Sequence, residues 1–294
     1  MTTTPQFLSR ADEISLIRAY EHLEYPSFAA RLSNVVGTPI EMAMKLLPKR
    51  WYRAVHRCAE EGIGKALDVA VSNVRNNQGA RSNDRHYKML GIASGAVGGF
   101  FGGPALLLEL PFTTTVMLSS IADIARSEGE DLDALDTRLA CMAVFALGGR
   151  SDMDDATDTG YYGLRLALEV PLASAARFLS QPGMAMRGNA PVLVSLITTI
   201  AERFGVVLSE KAVAEIVPVL GAAGGAFINS VFIQHFQDMA RSHFTIRRLE
   251  RQYNPALIKG CYERLKNPQV GMDRPSAQIV NLRRLPRLGV TAVA

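Results

Sequence analysis

Asp152, Asp154, Asp155 and Asp158 form the run of the chain best suited to metal chemistry. A DDxxD run on a helix edge can hold magnesium that bridges a diphosphate, because hard carboxylate oxygens suit that ion. Such a site also needs a second acidic cluster facing the first, and basic residues for the diphosphate. No second cluster stands out as a motif, and Arg150 and Arg165 are the basic residues at hand. The competing reading is structural. The acids precede a helix expected to begin near Gly160 and complement the positive end of its dipole. A magnesium-dependent enzyme acting on a diphosphate through Asp154, Asp155 and Asp158 is therefore the alternative function and not the first.

Other chemistry is excluded by spacing. The glycine-rich stretch after Lys88 lacks GxxxxGK[ST], and no GxGxxG follows a strand pattern. Ser94 does not sit in a G-x-S-x-G elbow. The five histidines are dispersed, and His235 with Asp238 makes no HExxH. No catalytic triad can be assembled, and neither a catalytic residue nor a cofactor is expected.

The chain is instead organised around residues 89–122, where no formal charge falls between Lys88 and Glu109. Gly91, Gly95, Gly99 and Gly103 recur every fourth residue, which puts them on one helix face. Interior glycine costs a helix about 1 kcal/mol relative to alanine, so close contact with a second helix must offset it. Gly221 and Gly225, within Ile216–Phe232, repeat the spacing and supply the expected partner. These six glycines are the candidate helix-packing or apolar-ligand residues, since smooth faces that part could admit an acyl chain. Residues 89–122 are long enough to span a bilayer. Pro104, Glu109 and Pro111 favour a buried helical hairpin over a span.

The remaining elements are helical. Ser9 and Asp12 resemble a capping box ahead of a first helix. Thr38-Pro39 opens a short helix that Pro48 ends, and 62–76 form another. Leu135–Leu147 ends at Gly148-Gly149. Residues 161–181, 190–204 and 209–217 add three helices, and Gly221–Tyr253 a long one. Strand alternation is scarce, so the expected fold is one all-α multi-helix domain over 1–266 with two central glycine-rich segments. Residues 267–294 carry Pro268, Pro275 and Pro286 and are expected as a loosely ordered tail.

Two basic regions remain. Lys45, Lys49, Arg50, Arg53 and Arg57 surround Trp51 and Tyr52. Basic residues around aromatics suit a helix lying on anionic lipid, with Lys49, Arg50, Trp51 and Arg53 meeting headgroups. A plain solvated face is the competing reading. Arg241, His243, Arg247, Arg248 and Arg251 form the second region, expected as a solvated helix end with Glu250 pairing locally. The net charge of +4 is mild, and nucleic acid is not an expected partner. Cys58, Cys141 and Cys261 lie far apart and read as reduced thiols. The start lacks a signal-peptide layout, so the expected location is cytoplasmic, peripheral at the inner face of the membrane.

The glycine-rich hairpin ending in Glu109-Leu110-Pro111, the Leu147-Gly148-Gly149 stop, and Gly160-Tyr161-Tyr162 with Arg165 together resemble the EcsC family of bacterial proteins. Ile216 to Asn229, Ala240, Phe244 and Arg247-Arg248-Leu249-Glu250 continue the likeness, and Pro39-Ile40-Glu41 and Leu47-Pro48 extend it toward the N-terminus. It covers about residues 1–253. Glu109 stands where the family usually has aspartate, which keeps the charge. The family is named from an operon that also encodes parts of an ABC transporter, and it has no established enzymatic activity. The resemblance therefore implies membrane or transport-linked work and carries over no catalytic residues. The expected function is that of a non-enzymatic membrane-peripheral protein binding lipid or another apolar ligand, accessory to a membrane transporter complex.

Overall fold

A computed structural model of the chain describes residues 8–25, 28–36, 40, 44–45, 48–71, 103–149, 160–181, 190–216 and 221–266. Gly91, Gly95, Gly99, Thr38, Pro39, the acidic run with Asp154, Asp155 and Asp158, and the tail 267–294 lie outside the described residues. Nine helices and no strand are present among the described residues, so the fold is all-α. They are α1 (Arg10–Glu24), α2 (Phe28–Val36), α3 (Lys49–Val71), α4 (Gly103–Ser127), α5 (Leu135–Leu147), α6 (Tyr161–Leu179), α7 (Pro191–Ile216), α8 (Gly221–Gln252) and α9 (Pro255–Lys266).

The long α8 is the axis of the molecule, with α1, α2, α4, α5, α7 and α9 packed on it. Gly103 opens α4 and Gly221 opens α8, and these two helices pack together, while the expected contact of their glycine faces lies outside the described residues. Their described contact includes Gln237 donating to Ser120 Oγ at 2.9 Å. On the other flank α3 packs on α4, α5 and α7, and α6 on α5 and α7. α3 also approaches α4 closely through a small residue, where a Cβ on Gly62 would stand 2.9 Å from Thr114 Oγ1.

Local sequence explains most boundaries. Ser9 caps α1, its hydroxyl accepting from Asp12 N at 3.2 Å and donating to the Asp12 carboxylate at 2.7 Å. Leu16, Ala19, Tyr20 and Leu23 then recur at helical spacing and are buried. α5 is apolar on every side, and all its residues from Leu139 to Leu147 are buried. A helix of that kind belongs in a core. Phe145 of α5, Phe204 of α7, and Phe232 and Phe236 of α8 meet there with centroids 5.0 to 6.3 Å apart. Edge-on and tilted pairs of this kind add about 0.5–1.5 kcal/mol each beyond the area they bury.

The Gly148-Gly149 stop is built into this core. A Cβ on Gly149 would stand 2.2 Å from the carbonyl oxygen of Arg203 on α7, an approach no other residue permits. The carbonyls freed at the end of α5 are not left to solvent. Arg203 donates to Ala146 O at 3.0 Å and Gly149 O at 2.8 Å, and His235 Nε2 donates to Gly148 O at 2.8 Å.

Three boundaries differ from expectation. Residues 62–76 were expected as a helix of their own, yet the described helix α3 already begins at Lys49 and runs unbroken to Val71. Residues 190–204 and 209–217 likewise form the single α7, which runs through Gly205 at ordinary contact distance from His56 and Ala59 of α3. α9 has no counterpart among the expected helices. Asn254 caps it, its side chain accepting from Ala256 N at 2.8 Å, and Pro255 fills the first position.

Among the described residues one helix segment, Pro191–Ala214 of α7, is long and apolar enough to cross a membrane, with mean hydropathy 1.7. Half of that window is buried in the protein.

Candidate functional site

Two arginine-rich surfaces were open to consideration, and the fold treats them differently. The second half of α8 presents Arg247, Arg248, Glu250 and Arg251 to the 128–134 turn, to α1 and to α6. Arg247 grips Glu130 with two hydrogen bonds, Nε to Oε1 at 2.8 Å and Nη2 to Oε2 at 3.0 Å. Arg251 Nη1 donates to the same carboxylate, and Thr137 Oγ1 adds a bond at 3.2 Å. The Glu130 side chain is only 4% exposed. Burial is the largest influence on it and would raise its carboxyl, but the two guanidiniums outweigh burial and hold it below the usual carboxylate range.

Next along α8, Arg248 bridges Glu128 (2.8 Å) and Asp12 of α1 (3.2 Å). Tyr253 closes that corner, donating to Asp12 at 2.8 Å and accepting from Ser9 N at 3.0 Å. Glu250 does not pair along its own helix as expected. It takes a two-pronged grip from Arg165 of α6, at 2.8 and 2.7 Å, and a third bond from Tyr162 at 3.0 Å. Arg165 is thus spent on Glu250 and not held out for a phosphate. The N-terminus of α6 is met by Glu24 of α1, whose Oε1 accepts from Tyr161 N and Tyr262 OH, both at 2.9 Å. That carboxylate is the described acid at the positive end of the α6 dipole, and the 152–158 acids that the sequence offered for this role lie outside the described residues.

Two imidazoles are enclosed nearby. His243 Nδ1 lies 2.9 Å from Tyr161 OH, and burial, then Arg247 and Arg165, drives its pKa well below the ordinary histidine value. Burial likewise pulls His235 down to about 4. Both rings are neutral near pH 7. Cys141 is fully buried, and burial pushes its thiol up to about 12, so it is no nucleophile. The three cysteines are free.

The first half of α3 is built the other way. At 3.6 residues per turn, Arg50, Arg53 and Arg57 fall within about 60° of one another. Val55, Ala59, Ile63 and Ala66 are buried on the opposite arc. All three arginines are exposed, and none forms an ion pair among the described residues. Trp51 is half-buried beside them, and Tyr52 is exposed with its hydroxyl on Met44 O at 2.7 Å. Lys49 opens the helix, and the first turn carries no acid. Cations at the positive end of a helix dipole oppose it, by about 0.3–1 kcal/mol each. The acids of α3 come later, at Glu60, Glu61 and Asp68, with Glu60 3.7 Å from His56.

The expected headgroup residues Arg50 and Arg53 therefore share a free face, and Arg57 joins them. The six glycines are divided: Gly103, Gly221 and Gly225 lie in α4 and α8, and Gly91, Gly95 and Gly99 lie outside the described residues. Among the described residues no group of three or more His, Cys, Asp or Glu could hold a metal ion. What sequence reasoning missed is the set of carboxylates that neutralise α8, namely Asp12, Glu128 and Glu130. The acidic turn was visible, but nothing in its spacing names partners more than a hundred residues away.

The family model described as the EcsC protein family matches this chain over residues 65–249. No curated protein and no solved structure matches it. The match takes in Glu128, Glu130, Arg165, Arg247 and Arg248, and begins after Arg50, Arg53 and Arg57.

Proposed function

The chain belongs to the EcsC protein family, and from that premise we propose that it is a non-enzymatic, membrane-peripheral protein whose α3 face binds anionic lipid headgroups. The observation that carries this reading is the cluster Arg50, Arg53 and Arg57, exposed on one face with no carboxylate partner among the described residues. Such a face gains about 1 kcal/mol per basic residue near an anionic leaflet, a combined effect of roughly a hundredfold on partitioning. Because the apolar arc of α3 is consumed by the core, the contact is electrostatic, with Trp51 and Tyr52 at its edge. The reading includes a cytoplasmic location, where the inner leaflet supplies the negative surface. It concerns this chain and not the family as a whole, since the three arginines precede the matched residues.

Flotation of the full chain with neutral and with phosphatidylserine-containing vesicles, at low and high salt, tests it. Flotation only on the anionic vesicles, lost at high salt, is the expected result. No flotation on either would end the lipid-surface reading. Flotation under every condition would mean insertion, and the surface reading would give way to it.

A further inference from the structure

The outer face of α6 has a composition that the core does not explain. Leu166, Glu169, Val170, Ala173 and Arg177 are all exposed and fall within about 100° of one another around the helix. Leu166 is 68% and Val170 72% exposed, while Leu168 and Ala175 on the far side are buried. These two apolar side chains thus stand open side by side on a helix whose other face is packed.

The charges decide what the surface contacts. Glu169 stands four residues before Ala173 and Arg177 four residues after it, and neither makes a hydrogen bond or ion pair among the described residues. A bilayer core would receive Glu169 at a cost of about 2.5 kcal/mol or more. A helix face that reads acid, small residue, base about its midpoint is instead complementary to itself when turned end for end.

We propose that α6 pairs antiparallel with α6 of a second copy of the chain, the two-fold axis passing beside Ala173. Ala173 then faces its own counterpart, and its small side chain lets the helices approach. Glu169 of each copy faces Arg177 of the other, giving two equivalent ion pairs. Val170 packs beside the half-buried Ala176 of the other copy, and Leu166 closes each end. One helix pair covers less than the about 1,200–2,000 Å² of a standard interface, so the dimer is weak and concentration-dependent. It does not depend on lipid binding, because the α3 arginines take no part in it.

Sedimentation equilibrium of the full chain over a concentration series tests the pairing. The mass is expected to rise from monomer toward dimer. Glu169→Arg or Arg177→Glu alone puts like charges together twice and should raise the dissociation constant about tenfold. The double variant exchanges the charges and should restore the original value, and the helical circular dichroism of all three variants should match the parent. Ala173→Cys should give a disulfide-linked dimer on mild oxidation, and Ala167→Cys, which lies off the stripe, should not. A monomer at every concentration would overturn the proposal. So would a dimer indifferent to both single reversals, or a double variant no better than the singles.

Discussion

Arg247, Arg248 and Arg251 on α8 and Arg50, Arg53 and Arg57 on α3 are two runs of three arginines on long helices, and they differ in what stands opposite them. Each α8 guanidinium meets carboxylates delivered from elsewhere, Glu130 and Glu128 from the acidic turn and Asp12 from α1. Each α3 guanidinium meets solvent. A cation drawn into a fold costs several kcal/mol unless a partner is drawn in with it, so the α8 arginines tie the turn and α1 to the central helix. Exposed cations are under no such demand and stay available to an outside anion. The same side chain is a structural tie in one place and a candidate contact in the other, and the partner inventory separates the two.

Breaking the ties should give the largest effect. Glu130→Gln leaves Arg247 and Arg251 without their shared carboxylate and is expected to destabilise the chain by about 3 kcal/mol in urea unfolding. A change under about 0.5 kcal/mol would mean that the buried pair contributes nothing and would dissolve the contrast.

Acidification should act on the same region. An ordinary histidine titrates near 6.5, whereas buried His235 does so at about 4 and His243 well below its ordinary value. Between those values the unfolded chain takes up protons that the folded chain refuses. Stability is therefore full above about pH 6.5 and falls as pH drops toward 4, by about 3 kcal/mol for His235 alone. Glu130, held below its ordinary range, extends the loss to lower pH as it is protonated. Thermal melts at pH 7.5, 6 and 5 follow this course, and His235→Gln should flatten it if the ring is the cause.

The α3 face should behave oppositely. Replacing Arg50, Arg53 and Arg57 with alanine together is expected to leave unfolding within about 0.5 kcal/mol of the parent. A larger loss would place these arginines among the structural ones. The smallest effect sharpens the contrast from the other side. Ala54→Glu puts a carboxylate four residues after Arg50 and three before Arg57. It should add about 0.5 kcal/mol of stability while weakening binding to anionic vesicles.

These two regions also mark how far the sequence can be read. The Ser9 cap, the apolar run Leu139–Leu147 and the glycine stop after it are local signals, and the helices they define are found in place. α3 runs unbroken through Gly62, whose Cβ position is taken by Thr114 of α4, and α7 runs unbroken through 204–209, where two helices were expected. Asn254-Pro255 was a legible start signal for α9 that apolar periodicity alone did not bring out. The α3 site was visible as composition, because a free basic face needs no partner to be recognised. The α8 arginines looked equally free, since pairing across more than a hundred residues is a property of the fold and leaves no trace in spacing.

The most direct test is to compare the parent chain with two triple variants, one carrying lysine and one alanine at positions 50, 53 and 57, for binding to anionic vesicles at low salt. Charge without carboxylate partners is the central claim, so lysine should retain nearly all binding and alanine should lose about a hundredfold, all three chains unfolding alike. Alanine binding as well as the parent would contradict the account.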